Sequence, residues 1–297
     1  MGCVMEGVLG LVIGMCLLAG MTLAWWLTQP QEPEGGLPAV PAAAARQTAR
    51  WRWGGVITGL ALGGSAAGTG ALGRGLLLAA PLFGLCVLAG VVAGEVSVRP
   101  AAGRTRAAVL EVRRVRDYLP RWLTGATVAA TTVLAGLTAV TSAVAGPDDL
   151  GRAGRDLQLA CGSGLLQTSG PWPGSFYTVP LAVLVAAGLV LAGGALRAVA
   201  GRARTGTDQE TVAADDALRR RAAWTVTSAC GILVAVPLAG LCAVSAGAVL
   251  SLFCRPAWLT VAGWALLGLA VAAVGLLSWC AAVLLAPDRV ITALPAR

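Results

Sequence analysis

The chain has 297 residues, a net charge of +8 and a mean hydropathy of +0.78, and charged residues make up only 12% of it. Water-soluble domains carry about a quarter charged residues, so the composition excludes a soluble globular protein and indicates an all-α, polytopic transmembrane bundle. All 22 basic residues are arginines, with no lysine and no histidine, which removes the usual haem and zinc ligand, the commonest general base and any Schiff-base amine.

The N-terminal MGCVMEGVLG pairs Gly2 with Cys3 as lipidated chains do, but Glu6 stands where myristoylation requires Ser or Thr. A basic n-region is missing and LLAGMTLAWW has no small-x-small cleavage site, so the first apolar stretch is expected to be retained as a helix. A bilayer core takes roughly 20 apolar residues of helix. Seven stretches qualify: 7–28, 54–72, 75–95, 123–146, 178–200, 224–250 and 259–286. The second holds eight glycines between Gly54 and Gly73 and reads either as a closely packed helix or as a broken, re-entrant one. Six spans are therefore the alternative. Residues 29–53, rich in proline at their start, read as an irregular cytoplasmic linker. Every loop falls below the roughly 40 residues a domain needs to fold without support, so 1–297 is read as a single integral membrane domain.

Orientation follows from arginine placement. With the N-terminus outside and the C-terminus inside, 18 arginines face the cytoplasm and only Arg74, Arg152, Arg155 and Arg255 lie outside, in agreement with the positive-inside rule. Trp25, Trp26, Trp51, Trp53, Trp122 and Trp224 then fall at the inner interface, and Trp172 and Trp258 near the outer one.

The basic cytoplasmic segment 96–122 contains EVRRVRDYLPRW. Ala108, Val112, Val115 and Leu119 form one narrow apolar stripe, with Arg106, Arg113, Arg114, Arg116 and Arg121 on the flanks. Such a helix lies along the membrane surface, where each arginine gains about 1 kcal/mol near anionic headgroups. Those five arginines are the candidate docking residues, either for anionic inner-leaflet lipid or for a cytoplasmic partner such as an ATPase. Nucleic acid is not expected, because base-stacking aromatics are not interleaved with them. Pro120 ends this segment before the next span. In the second cytoplasmic segment, 201–224, Asp215 and Asp216 precede Arg219, Arg220 and Arg221 at helical spacing and read as solvated ion pairs.

Of eight cysteines, five fall inside expected spans and read as small packing residues. Cys161 and Cys254 fall in outer loops, where an oxidising compartment allows a disulfide. Closing about 90 residues would restrict the unfolded chain by roughly 4 to 5 kcal/mol. The outer loop 147–177 contains GPWPGSFYTVP, whose Trp172, Phe176 and Tyr177 read as headgroup anchors, with a lid over the bundle as the sharper option. Spacing supports no metal site and no cofactor.

Asp, Glu and Arg stay at the ends of the expected spans, with Glu95 and Arg197 among them, so a carboxylate proton relay is not expected. Span hydroxyls such as Thr127, Thr131 and Thr225 read as bonding back to their own helices, and GxxxG pairs such as Gly59–Gly63 and Gly90–Gly94 as close helix contacts. These features argue against an enzyme.

Together LLLAAPLFGLCVLAGVVAGEVSVRP, EVRRVRDYLPR and GPWPGSFY resemble an actinobacterial family of integral membrane proteins without an assigned activity, and the arginine-for-lysine usage fits a GC-rich bacterial genome. The resemblance implies a multi-pass protein of the plasma membrane and transfers no catalytic or binding residue. Two functions stay open: a membrane subunit of a transport system energised by a separate partner, and a non-catalytic scaffold or envelope-stress accessory protein.

Overall fold

The computed structural model describes residues 42–69, 73–97, 118–161, 164, 166–201 and 209–287. Within them the elements are α1 (Ala42–Ala67), α2 (Arg74–Ser97), α3 (Arg121–Ala143), β1 (Ala145–Gly146), β2 (Asp156–Ala160), β3 (Leu166–Ser169), α4 (Ser175–Ala200), α5 (Gln209–Leu250) and α6 (Ala257–Leu285). The fold is predominantly helical, as the composition requires: apolar segments without water must satisfy backbone polar groups internally. Five helices, α2 to α6, are long and apolar enough to cross a membrane.

Seven spans were expected, and two are not among these five. Residues 7–28 lie outside the described residues. The glycine-rich second stretch is one continuous helix, α1, whose N-terminal half carries Arg46, Arg50 and Arg52. Its uncharged part, residues 54–67, is only about 21 Å long at 1.5 Å per residue, against a bilayer core of about 30 Å. The irregular linker expected over 29–53 is likewise corrected: from Ala42 onward it is helical, because the run AAAARQTARW is made largely of strong helix formers and continues into α1 without a breaker.

α1 packs antiparallel on α2 with the backbones in contact. A methyl group added at Gly55 would lie 2.6 Å from the Cys86 carbonyl oxygen, and one at Gly90 would lie 2.6 Å from that of Trp51. Only glycine allows this approach.

α5 is the central helix. Of its apolar stretch 78% is buried, against 17 to 33% for the other four. Around Leu233 it meets Val87 and Leu88 of α2, Leu123 of α3, Ala192 of α4 and Val283 of α6. Two turns on, Leu238 and Leu241 pack with Leu134, Leu181 and Val274. Helix alternation gives the bundle two chemically distinct ends. One gathers Arg46, Arg50, Arg52, Arg121, Arg197 and Arg219 to Arg221, and we call it the arginine end; the other carries the sheet.

At the sheet end the three short strands pair antiparallel in the order β1-β2-β3, with Leu157 opposite both Ala145 and Ser169. The loop expected over 147–177 is thus a built cap, and α4 begins at Ser175, ahead of the expected 178.

Candidate functional site

α5 has 42 residues, about 63 Å of helix, twice the thickness of a bilayer core. Its N-terminal turns therefore project past the apolar bundle and form a foot at the arginine end. There Arg219 donates from Nη2 (2.7 Å) and Nε (3.0 Å) to Asp215 Oδ2, and from Nη1 to the carbonyl of Ala200, the last residue of α4 (3.3 Å). Arg219 is fully buried. The i, i+4 spacing was legible, but the reading of a solvated pair is corrected: the guanidinium is folded between α5 and the end of α4. A buried cation needs its charge and its donors matched, and a helix C-terminus offers carbonyls of the right sign.

The next carboxylate, Asp216, accepts a hydrogen bond from Tyr118 Oη at 3.3 Å. Tyr118 and Leu119 form a turn, and Pro120 precedes α3 as its cap residue, its carbonyl accepting from Thr124 N. The chain leaving the basic segment is therefore fastened to the foot of the central helix.

One turn into the bundle, Arg221 and Thr225 of α5, Thr48 and Arg52 of α1, and Val91 and Glu95 of α2 line a narrow cleft. Glu95 is buried, 6% exposed, whereas Trp51 and Trp53 on either side of Arg52 are about half exposed. Trp122 is exposed at this end too and meets Trp279 edge-on, with centroids 5.0 Å apart. Trp279 thus sits near the bundle end rather than deep within it.

The sheet end is held differently. Cys161 and Cys254 are joined as a disulfide with their Cα atoms 5.9 Å apart, tying the end of β2 to the α5–α6 turn. Gln167 Oε1 accepts from Phe253 N (3.0 Å), and Ser169 Oγ donates to the Ala248 carbonyl (3.0 Å). Arg255 caps α5 by donating from Nη1 to the carbonyls of Leu250 and Leu252, both at 2.6 Å. Arg74 and Arg155 lie 4.6 and 4.0 Å from the centroid of the Phe176 ring, a cation–π arrangement. Asp148 accepts from Leu150 N, Arg152 N and Arg152 Nε. Partial burial opposes its ionisation, but the Arg152 backbone and guanidinium and Leu150 N outweigh it and hold the carboxyl below its ordinary value. Asp156 is pushed up, first by burial and then by Asp148 and Asp149.

The aromatic anchors expected here are corrected. Trp172 is buried against Ala248 and Val249, with Nε1 donating to the Thr141 carbonyl at 2.8 Å, and Tyr177 is buried as well. Closure of the sheet over the helix ends buries both rings within the protein. At the opposite end Trp224, expected at the interface, belongs to the core.

Of the five docking arginines, Arg121 is the exposed first residue of α3, and Arg106, Arg113, Arg114 and Arg116 lie outside the described residues. Sequence reasoning missed the cleft, whose residues come from three helices far apart in the chain. The only local signal was Glu95, a carboxylate at the end of a long apolar run.

This arrangement defines a class: a polytopic helical membrane protein with one covalently closed end and one arginine-rich end. No family model matches the chain, and neither a curated protein nor a solved structure gives a significant match.

Proposed function

We propose that this chain is the membrane-embedded subunit of a transport system energised by a separate cytoplasmic partner, probed most directly through its basic segment. In this reading it belongs with the actinobacterial integral membrane proteins it resembles and is not itself an enzyme. It sits in the bacterial plasma membrane, N-terminus out and C-terminus in, with the arginine end in the cytoplasm. In this reading residues 7–28 and α1, which runs antiparallel along α2, complete seven crossings, the short apolar part of α1 being met by local thinning of the bilayer and by its arginines reaching to the headgroups.

The observation that supports the reading is the junction at Tyr118. A partner docked on residues 105–122 would pull on a chain bonded to Asp216, one residue from the buried Asp215–Arg219 pair that joins α5 to α4. Force applied at the dock would reach the central helix through one turn of backbone. The spans carry no carboxylate in their apolar middles, so the free energy for transport would enter from outside the chain.

The test is affinity purification from native membranes of the wild type and of a variant with Arg113, Arg114 and Arg116 changed to Gln. A co-purifying subunit that hydrolyses ATP, present at fixed stoichiometry and lost in the variant, is the expected result. Absence of nucleotide hydrolysis in both samples would turn the assignment to a non-catalytic scaffold, with the arginines serving lipid alone.

A further inference from the structure

We infer that the first apolar stretch, residues 7–28, docks antiparallel on the face of α1 turned away from α2, glycine against glycine. The inference rests on the seven-crossing part of the reading above, and on neither transport nor the dock at residues 105–122.

α1 is not among the five helices apolar enough to cross a membrane. Its contacts nevertheless keep it level with α2. A methyl group at Gly55 would lie 2.6 Å from the Cys86 carbonyl oxygen, one at Gly59 would lie 3.0 Å from that of Phe83, and one at Gly63 would lie 3.1 Å from that of Ala79. Those three glycines form one stripe, and half a turn round the helix lies another: Gly54, Ile57, Ala61, Gly64 and Gly68. All five residues of this second stripe are exposed, and nothing lies within 4 Å of where a methyl group would sit at Gly54 or Gly64. Small residues in this pattern are enriched where membrane helices meet, because they let a second backbone come close. Thr58 and Ser65, beside the stripe, are exposed as well.

The chain itself supplies the occupant. Outside the described residues, 7–28 is the one stretch apolar for long enough to cross a bilayer. It is tied to the start of α1 by residues 29–41, a linker that reaches about 45 Å at full extension. Within it Gly10, Gly14, Leu17, Met21 and Ala24 are spaced 4, 3, 4 and 3 apart, and Gly68, Gly64, Ala61, Ile57 and Gly54, read backwards along α1, are spaced identically. Antiparallel alignment therefore sets Gly10 on Gly68, Gly14 on Gly64, Leu17 on Ala61, Met21 on Ile57 and Ala24 on Gly54.

The tryptophans give the same register without reference to glycine. Trp51 and Trp53 are about half exposed on α1, and membrane tryptophans gather at headgroup level. Bringing Trp25 and Trp26 to that level places Trp25 beside Trp53, the offset that the glycines require. Thr28 then stands level with Arg50, about 12 Å along the helix axis from Ala42, well within the reach of the linker.

The test uses the full chain in native membranes, with the free cysteines replaced by Ala and the Cys161–Cys254 disulfide kept. Leu17→Cys with Ala61→Cys, and Met21→Cys with Ile57→Cys, should each cross-link within one chain on mild oxidation with copper phenanthroline. Leu17→Cys should cross-link several-fold less with Gly54→Cys, two turns away, and with Thr132→Cys, which lies on the exposed side of α3. Gly64→Leu should lower both expected cross-links several-fold. It leaves the α1–α2 contact alone, because its surroundings are open. Gly240→Leu, at an equally open and exposed glycine of α5, should leave both unchanged. Cys3 and Gln31→Cys, each as the sole reactive thiol, would be labelled in intact cells with a membrane-impermeant maleimide. Cys3 should react and Gln31→Cys should react only after lysis. If that pattern holds but the cross-links are missing, join two chains, form with Thr132→Cys instead, or survive Gly64→Leu undiminished, the docking is overturned and the crossing stands. Equal access of both thiols overturns the crossing of 7–28 and the docking with it.

Discussion

At the sheet end, order comes from a disulfide, three short strands and side chains such as Gln167, Ser169 and Arg255 that bond to backbone groups across the α5–α6 turn. At the arginine end there is no strand or disulfide among the described residues, and a fully buried Arg219, its partner Asp215 and the Ala200 carbonyl take their place. The first device works mainly by limiting what the unfolded chain can do; the second works by balancing charge in a medium that screens poorly. The two ends should therefore fail under different insults. Reductant should loosen the cap and leave the foot, whereas deletion of one charge should loosen the foot and leave the cap.

The largest effect is expected from changing Cys161 and Cys254 together to Ser. With the two cysteines 93 positions apart in the chain, the chain-entropy account gives a loss of about 4 to 5 kcal/mol. Unfolding in detergent, followed with and without dithiothreitol, should show the reduced wild type matching the variant. Equal stability of the oxidised wild type and the variant would remove the staple from the comparison. Next comes Asp215→Ala, which removes the carboxylate that Arg219, a buried guanidinium, is paired with and should cost about 3 to 5 kcal/mol. Asp215→Leu combined with Arg219→Met should cost much less, since it removes both charges and fills the volume. If the single and double variants are equally damaged, packing rather than charge holds the foot.

Much of this architecture was legible in the residues. Five apolar runs became five apolar helices because hydropathy over some twenty residues decides whether a helix can live in a membrane, whatever its neighbours do. The spacing of Asp215 and Arg219 was visible as well. Burial of that pair was not, because it depends on the end of α4 lying against α5, a contact that no local pattern encodes. Trp172 failed for a related reason. An aromatic beside two prolines at a span end usually anchors to headgroups, and only the closure of β1, β2 and β3 over α3 and α5 turns it into a core residue. The cleft was hardest to read: Thr48, Arg52, Glu95 and Arg221 are each unremarkable at a helix end, and their meaning comes from convergence.

Trp172 sharpens the comparison on a smaller scale. Trp172→Phe keeps most of the apolar contact with Ala248 and Val249 but leaves the Thr141 carbonyl without the indole donor. A loss of about 1 to 2 kcal/mol is expected for a buried hydrogen bond, visible as a lower unfolding midpoint. It should add to the loss from reduction if the disulfide and the indole act independently, since distant sites are additive within a few tenths of a kcal/mol. A clear shortfall from additivity would mean that the cap opens as one unit.

The smallest effect is a pH dependence confined to the cap, and its sign differs between two aspartates. Asp148 has a folded value below its ordinary 3.8, through Arg152 and the Leu150 N–H, so its contribution is complete above 3.8 and is lost as pH falls through the lower folded value. Asp156 has a raised value, through burial and then its acidic neighbours Asp148 and Asp149. Its ionised form burdens the cap at neutral pH, and that burden lifts as pH falls through the raised value toward 3.8. Cap stability, followed by urea unfolding at constant ionic strength, should therefore rise slightly on mild acidification and then fall in stronger acid. Asp156→Asn should abolish the rise and Asp148→Asn the fall. A monotonic profile left unchanged by both variants would mean that these carboxylates do not govern the cap, and that its order rests on the disulfide and the backbone-directed bonds alone.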